Sequence, residues 1–250
     1  WAPGNASVRR SRWTPSTDCK QERVTFFMEY QTITYKEMKE NPEMTALMER
    51  GNDMLGALGY TEHSKKHACK VAKGAGDILS SLGYDKRICE LARIAGYMHD
   101  IGNCVNRTDH AHSGALLAFQ ILRGLGMPPE EVACVVSAIG QHDEKTGTAV
   151  DPVSAALILA DKSDVRRNRV RNRVKATFDK HDRVNYAAVT AELTVLTEKK
   201  TVQLDIELDE EICSILDYFE IFLQRMLMCK RAAEVLGLKF RMHANGHKMC

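Results

Sequence analysis

The 250-residue chain has almost no charge imbalance: 35 Lys and Arg against 33 Asp and Glu leave a formal net charge of +2. No global field points to a nucleic acid or a membrane, and neither is expected as a partner. No apolar run reaches the roughly 18 residues that suggest a bilayer span. No signal-peptide hydrophobic stretch is present either, so a cytoplasmic protein is expected. Eight cysteines occur, none as Cys-x-x-Cys. Scattered singly through amphipathic runs, they read as reduced, packed thiols rather than a disulfide frame or a thiolate zinc site. Gly74/Gly76 and Gly124/Gly126 lack the strand–turn–helix setting of a nucleotide fingerprint. His243, His247 and Cys250 flank Asn245-Gly246 and read as a solvated turn.

What is present is a helical pattern. Residues 1–27, rich in Arg, Ser, Pro and Thr, are expected to be a disordered or non-native tail, with Met28 a plausible initiator. Residues 28–60 carry a Thr34/Glu37 capping box and an amphipathic run after Pro42. Residues 61–185 then alternate amphipathic runs with short Gly, Pro and Asp punctuation. The starts are expected at Thr61, Asp85, Thr108 or Asp109, Pro128 and Asp151, the last helix continuing through RRNRVRNRV. This predicts a mainly α fold, an all-α bundle. Residues 186–250 form a small C-terminal α+β appendage: a hairpin turning at Glu198-Lys199-Lys200, a long helix, and a third strand at LKFRMHA.

Six residues are out of place in such helices. His67, His99, Asp100, His110, His142 and Asp161 stand beside small or apolar residues in separate helical stretches. A carboxylate facing a core costs several kcal/mol unless compensated, and a metal ion compensates it. Imidazole with carboxylate is the ligand set of a divalent transition metal. Ile101-Gly102 breaks its helix and frees Asp100. His63, on the face of His67 one turn earlier, is placed in the pocket. Lys162, Arg166, Arg169 and Arg173 fall at helical spacing in a segment where six of ten residues are Lys or Arg. This stripe suits a phosphate, or else a solvated face. Asp164 is set to pair with those cations. Asp143 and Glu144 are candidates for proton transfer by position, or else loop acids.

These segments resemble the HD-domain metal-dependent phosphohydrolase superfamily over about residues 60–175. The matching pieces are HACKVA, GYMHDIGN, HAHSGALLA, AIGQHDEKTG and LILADKSDVRRNRVR. The resemblance implies a helical bundle in which His67, His99, Asp100 and Asp161 hold one ion. Its two-metal branch adds His110 and His142, with Asp100 bridging. His110 is preferred to His112 because Gly114 follows it by four residues. The implied cofactors are two divalent ions, with Mn, Fe, Co or Ni favoured over Mg or Zn, and the implied reaction is attack of metal-bound hydroxide on phosphorus.

The departures matter. Asn103 stands where many members carry Lys and where one hydrolase branch has Glu. No doubled His with Gly-Tyr-Pro follows, which disfavours the cyclic-dinucleotide branch. The expected protein is a hydrolase of a small phosphorylated metabolite, a nucleotide foremost. Asp100, His63 and Asp143 are assigned to catalysis, and Lys162, Arg166 and Arg169 to substrate. The alternatives are an HD-fold di-iron oxygenase, which shares the ligand order, and a non-catalytic nucleotide sensor. The appendage is a candidate surface for a homodimer.

Overall fold

Most helix starts fall where a side-chain oxygen or a proline can serve the first turn. In the computed structural model, which describes residues 29–172, 174 and 178–250, Thr34 and Glu37 close a capping box on α1 (Tyr35–Glu40). Asn41 caps α2 (Pro42–Ala57), Ser64 caps α3 (Lys65–Ser81) and Asp85 caps α4 (Lys86–Met98). A 3₁₀ turn, Ile101–Cys104, leads towards α5 (His110–Gly124) and α6 (Pro129–Gly140). Asp151 caps α7 (Pro152–Lys162). After α8 (Lys180–Ala187) come β1 (Ala188–Leu196), β2 (Thr201–Leu208), α9 (Ile215–Val235), β3 (Lys239–Ala244) and β4 (His247–Lys248). The mainly α bundle with a C-terminal α+β element is the fold the hydrophobic periodicity indicates.

α7 is the centre. Every residue from Val153 to Lys162 is buried, and the helix packs against α3, α4, α6 and α9. One apolar cluster runs from Val71 and Ile94 through Leu157 to Phe222 and Met226. α9 packs on α7 on one side and on β2 and β3 on the other. The sheet has the order β1-β2-β3-β4, antiparallel except for the parallel pair β2/β3. Val202, Leu204, Ile206 and Leu208 of β2 are buried, as alternation requires. The β3–β4 turn is Asn245-Gly246, both at positive φ, a conformation this dipeptide tolerates.

Two helix limits differ from expectation. α3 begins at Lys65, not Thr61, because the Ser64 hydroxyl takes the Lys66 N–H, so His63 precedes the helix. α5 begins at His110 behind Asp109, as expected, although the φ of Asp109 is a left-handed 57° and its side chain makes no cap bond. α7 ends at Lys162, so the basic segment is no helical stripe. Asp164 turns into the core, and Arg166 and Arg169 fold back onto it. Arg173 lies outside the described residues. Cys89, Cys213 and Cys229 are buried as expected, but Cys250 is exposed. Among the described residues no helix is long and apolar enough to cross a membrane.

Candidate metal centre and cleft

Helix ends bring the six singled-out residues together. His67 sits in the first turn of α3, and His99 and Asp100 follow α4. His110 opens α5, His142 follows α6, and Asp161 lies in the last turn of α7. His67, His99, His110, His142 and Asp161 are all buried.

Every imidazole has its Nδ1 committed. His99 Nδ1 lies 2.8 Å from Gly96 O, His142 Nδ1 2.6 Å from Ile139 O and His110 Nδ1 3.2 Å from Arg107 O. His67 Nδ1 is 2.7 Å from Asp164 Oδ2. Carbonyl and carboxylate oxygens only accept, so each Nδ1 donates its hydrogen, and in a neutral ring the Nε2 lone pair is the one that faces inward. Those lone pairs converge on Asp100. Its Oδ2 is 3.1 Å from His99 Nε2 and 3.6 Å from His67 Nε2. Its Oδ1 is 3.6 Å from His110 Nε2 and 4.0 Å from His142 Nε2. Asp161 Oδ1 completes the Oδ2 side, 3.3 Å from His67 Nε2 and 3.6 Å from His99 Nε2.

This arrangement fits metal. His67 Nε2, His99 Nε2 and Asp100 Oδ2 are buried and have no hydrogen-bond partner. Such groups are costly to leave unsatisfied, and a cation shared among them removes the cost. The Nε2 atoms of His110 and His142 are only 3.1 Å apart, two lone pairs facing each other until something positive separates them. Two compact donor sets, His67/His99/Asp161 and His99/Asp100/His142, have ligand spacing.

The local fields agree. Burial pushes the His142 and His110 imidazoles below their usual pKa. Burial also pulls His99 down, but the carboxylates of Asp100 and Asp161 push it up more strongly, to about 10, so a proton and a metal ion compete for its Nε2. Burial raises both carboxyls in turn. His99 nonetheless holds Asp100, and Lys162 holds Asp161, well below the usual range. A divalent ion would meet this same field.

Supporting residues fix the ligands. Asp164 is fully buried and receives His67, Lys70 Nζ at 2.7 Å and Arg166 Nε at 2.6 Å. Arg169 lies 3.8 Å from the same carboxylate and donates to Asp164 O and Glu62 O. This fulfils the pairing expected of Asp164 and gives it a second task, orienting a histidine. Arg166 and Arg169, both expected at the substrate, serve Asp164, and of the two Arg169 also lines the cleft. Asn103 donates its Nδ2 hydrogens to Asp100 O and Oδ1, both at 2.9 Å. The departure from the resembled pattern thus aims the central carboxylate. A Cβ at Gly102 would overlap His110 O and lie 2.5 Å from Gly114 N, so only glycine lets α5 close on the Asp100 turn.

A cleft of about 460 Å³ opens on this centre. It is lined by His63, Asp100, His110, His142, Asp143, Asp161, Lys162 and Arg169, and also by Phe222 and Arg225 of α9. His63 is half-buried, its Nδ1 tied to Thr61 O at 2.8 Å, and burial keeps the ring neutral. Lys162 Nζ sits 2.8 Å from Asp161 Oδ2. Asp143 is half-buried, one oxygen accepting the Lys145 N–H. Glu144 accepts from Arg225 Nε, and the charges of Arg225 and Lys162 outweigh burial and lower its pKa. His112 is left outside, its side chain 56% exposed. Sequence reasoning missed Arg225. It stands far along the chain in an otherwise amphipathic helix, and no local signal marks it.

The chain is similar to known proteins. The HD-domain family pattern matches residues 65–220. An uncharacterized protein of Methanocaldococcus jannaschii is 29% identical over 204 residues, 72% of this chain and 77% of that protein. Ribonuclease Y of Thermus thermophilus is 35% identical over 125 residues, 46% of this chain but only 20% of the ribonuclease. A solved structure, a predicted HD-superfamily hydrolase from an uncultured Thermotogales bacterium, is 27% identical. It covers 54% of this chain and 75% of its own, with a TM-score of 0.39.

Proposed function

The chain belongs to the HD-domain family, and we propose that it is a metal-dependent phosphohydrolase acting on a small phosphorylated metabolite, a nucleotide foremost. One observation carries the reading: the two oxygens of Asp100 face different pairs of imidazole lone pairs, and three of these buried atoms lack any partner. Two divalent ions, Mn, Fe, Co or Ni by the donor chemistry, would share Asp100. His67, His99 and Asp161 would hold one, and His110 and His142 the other. When bound, such ions acidify water towards a pKa of about 7 and neutralise charge on a phosphoryl group.

The remaining work falls to the chain. Neutral His63 and the Asp143 carboxylate both line the cleft and are placed to carry a proton to or from the reacting group. Lys162 steadies Asp161 Oδ2, which leaves Oδ1 turned to the imidazoles. Asp164, through His67 Nδ1, fixes which nitrogen faces inward. Phosphoester chemistry is also what the name of ribonuclease Y implies for that relative.

The test is metal analysis followed by phosphate release from a panel of phosphorylated metabolites under Mn, Fe, Co and Ni. Release that disappears in Asp100→Ala is expected. Oxygen uptake without phosphate release would transfer the protein to the oxygenase reading. Tight nucleotide binding without turnover under any metal would favour a sensor, and cleavage confined to RNA would favour a nuclease.

A further inference from the structure

Phe222 and Arg225 lie one turn apart on α9, and both line the cleft. The Arg225 guanidinium stands over the Phe222 ring, 4.2 Å from its centroid. Its Nε donates to Glu144 Oε1 at 2.9 Å. The same carboxylate oxygen is 3.8 Å from Lys162 Nζ, whose shorter contact is with Asp161. A line of alternating charge therefore runs from the candidate ligand Asp161 through Lys162 and Glu144 to Arg225.

Only one edge of this guanidinium is engaged. Neither Nη of Arg225 donates to another described residue, although its side chain is only 19% exposed. The ring braces its face and Glu144 braces Nε, so most of its rotamer freedom is gone before a ligand arrives. What remains is a planar fork of N–H groups at a cleft, the geometry that matches two oxygens of one phosphoryl group. α9 packs on α7, the helix of Asp161, so the fork holds station relative to the candidate metal ligands.

We infer that Arg225, aimed by Glu144 and Phe222, is a specificity-determining residue that binds the phosphoryl group of a phosphate monoester. A monoester offers three terminal oxygens and a diester two. Only the monoester can engage the centre around Asp100 and still present two oxygens to the fork. The inference rests on the phosphohydrolase reading for its substrate class, but its binding test does not.

Inorganic phosphate is titrated calorimetrically into the 250-residue chain, chelator-treated and Mn-loaded, for wild type, Arg225→Ala and Arg225→Lys. Steady-state hydrolysis of p-nitrophenyl phosphate and bis-p-nitrophenyl phosphate is measured alongside. In Arg225→Ala the phosphate Kd and the monoester KM are expected to rise about tenfold or more, the loss typical of a charge-assisted fork. Metal content stays at the wild-type level, and the monoester-to-diester ratio of kcat/KM falls. Arg225→Lys keeps a cation but not the fork, and falls between. A purely structural role would instead lower kcat for both substrates alike. Unchanged phosphate affinity and an unchanged monoester-to-diester ratio in Arg225→Ala would overturn the inference. If that variant fails to fold, wild-type phosphate affinity in Arg225→Lys does the same. Arg225-dependent phosphate binding with no hydrolysis under any metal would sink the phosphohydrolase reading and leave this inference standing. Hydrolysis with Arg225-independent binding would do the reverse.

Discussion

The two sides of Asp100 are built by different means. On the Oδ2 side, His67 leans on Asp164, a fully buried carboxylate held in turn by Lys70, Arg166 and Arg169. On the Oδ1 side, His110 and His142 lean only on the main-chain carbonyls of Arg107 and Ile139. Asn103 aims the oxygen they share. The first side is braced by charge drawn from distant segments, so its integrity is tied to the whole fold. The second is braced by its own helix ends and by the close approach of α5 to Gly102. An ion on the first side is therefore expected to bind more tightly than one on the second.

Several substitutions break or sharpen this contrast, and the largest effect belongs to the shared residue. Asp100→Ala removes an oxygen from both sides. Metal content should fall on both, and activity should drop by about 10³-fold or more, as when a key electrostatic group is lost. Asp164→Ala should strike the first side and the fold together. It costs ~3 kcal/mol, the low end for a broken buried pair because Lys70 and Arg166 can turn to solvent. Thermal unfolding measures it. Its pH dependence has a definite sign. Burial raises the Asp164 carboxyl, but the hydrogen bonds from His67 and Arg166 and the charge of Arg169 lower it further. Its folded pKa therefore lies below the unfolded value of about 3.9. The stabilisation is fully present above about pH 4 and is lost as pH falls further. The Tm gap between wild type and Asp164→Ala should narrow in acid and stay constant near neutrality.

Gly102→Ala should cost ~1–3 kcal/mol by overpacking. By displacing α5 and His110 it should empty the second side while leaving the first loaded. A stoichiometry near one ion per chain, read by metal analysis, is the expected result. Asn103→Ala is the mildest: about tenfold weaker binding on the second side, the usual cost of losing a partner that orients a ligand. Equal loss from both sides in either variant would erase the contrast.

Much of this centre is legible in the sequence, because each candidate ligand sits where local patterns are strong. His99 and Asp100 close an amphipathic run just before Gly102, and Asp161 interrupts an apolar one. Such oddities need no knowledge of tertiary contacts. The basic segment after Asp161 misleads for the opposite reason. Helical spacing assumes the helix continues, but burial of Asp164 ends α7 at Lys162 and turns two arginines inward. His63 misleads by the same one-turn error at the start of α3, although it still reaches the cleft. Arg225 is invisible to such reading. Its place beside Glu144 follows from how α9 crosses α7, a contact between positions 81 residues apart. The hairpin and third strand are legible from alternation, whereas the parallel pairing of β2 with β3 is set by the intervening α9.

The most direct measurement is anomalous diffraction from Mn-loaded crystals of the full chain, collected above and below the metal edge. Two peaks should flank the Asp100 carboxylate. One should lie within bonding distance of His67 Nε2, His99 Nε2 and Asp161, the other of His110 Nε2 and His142 Nε2. A saturating soak that leaves no peak between these nitrogens, or places the ion elsewhere in the chain, would contradict it.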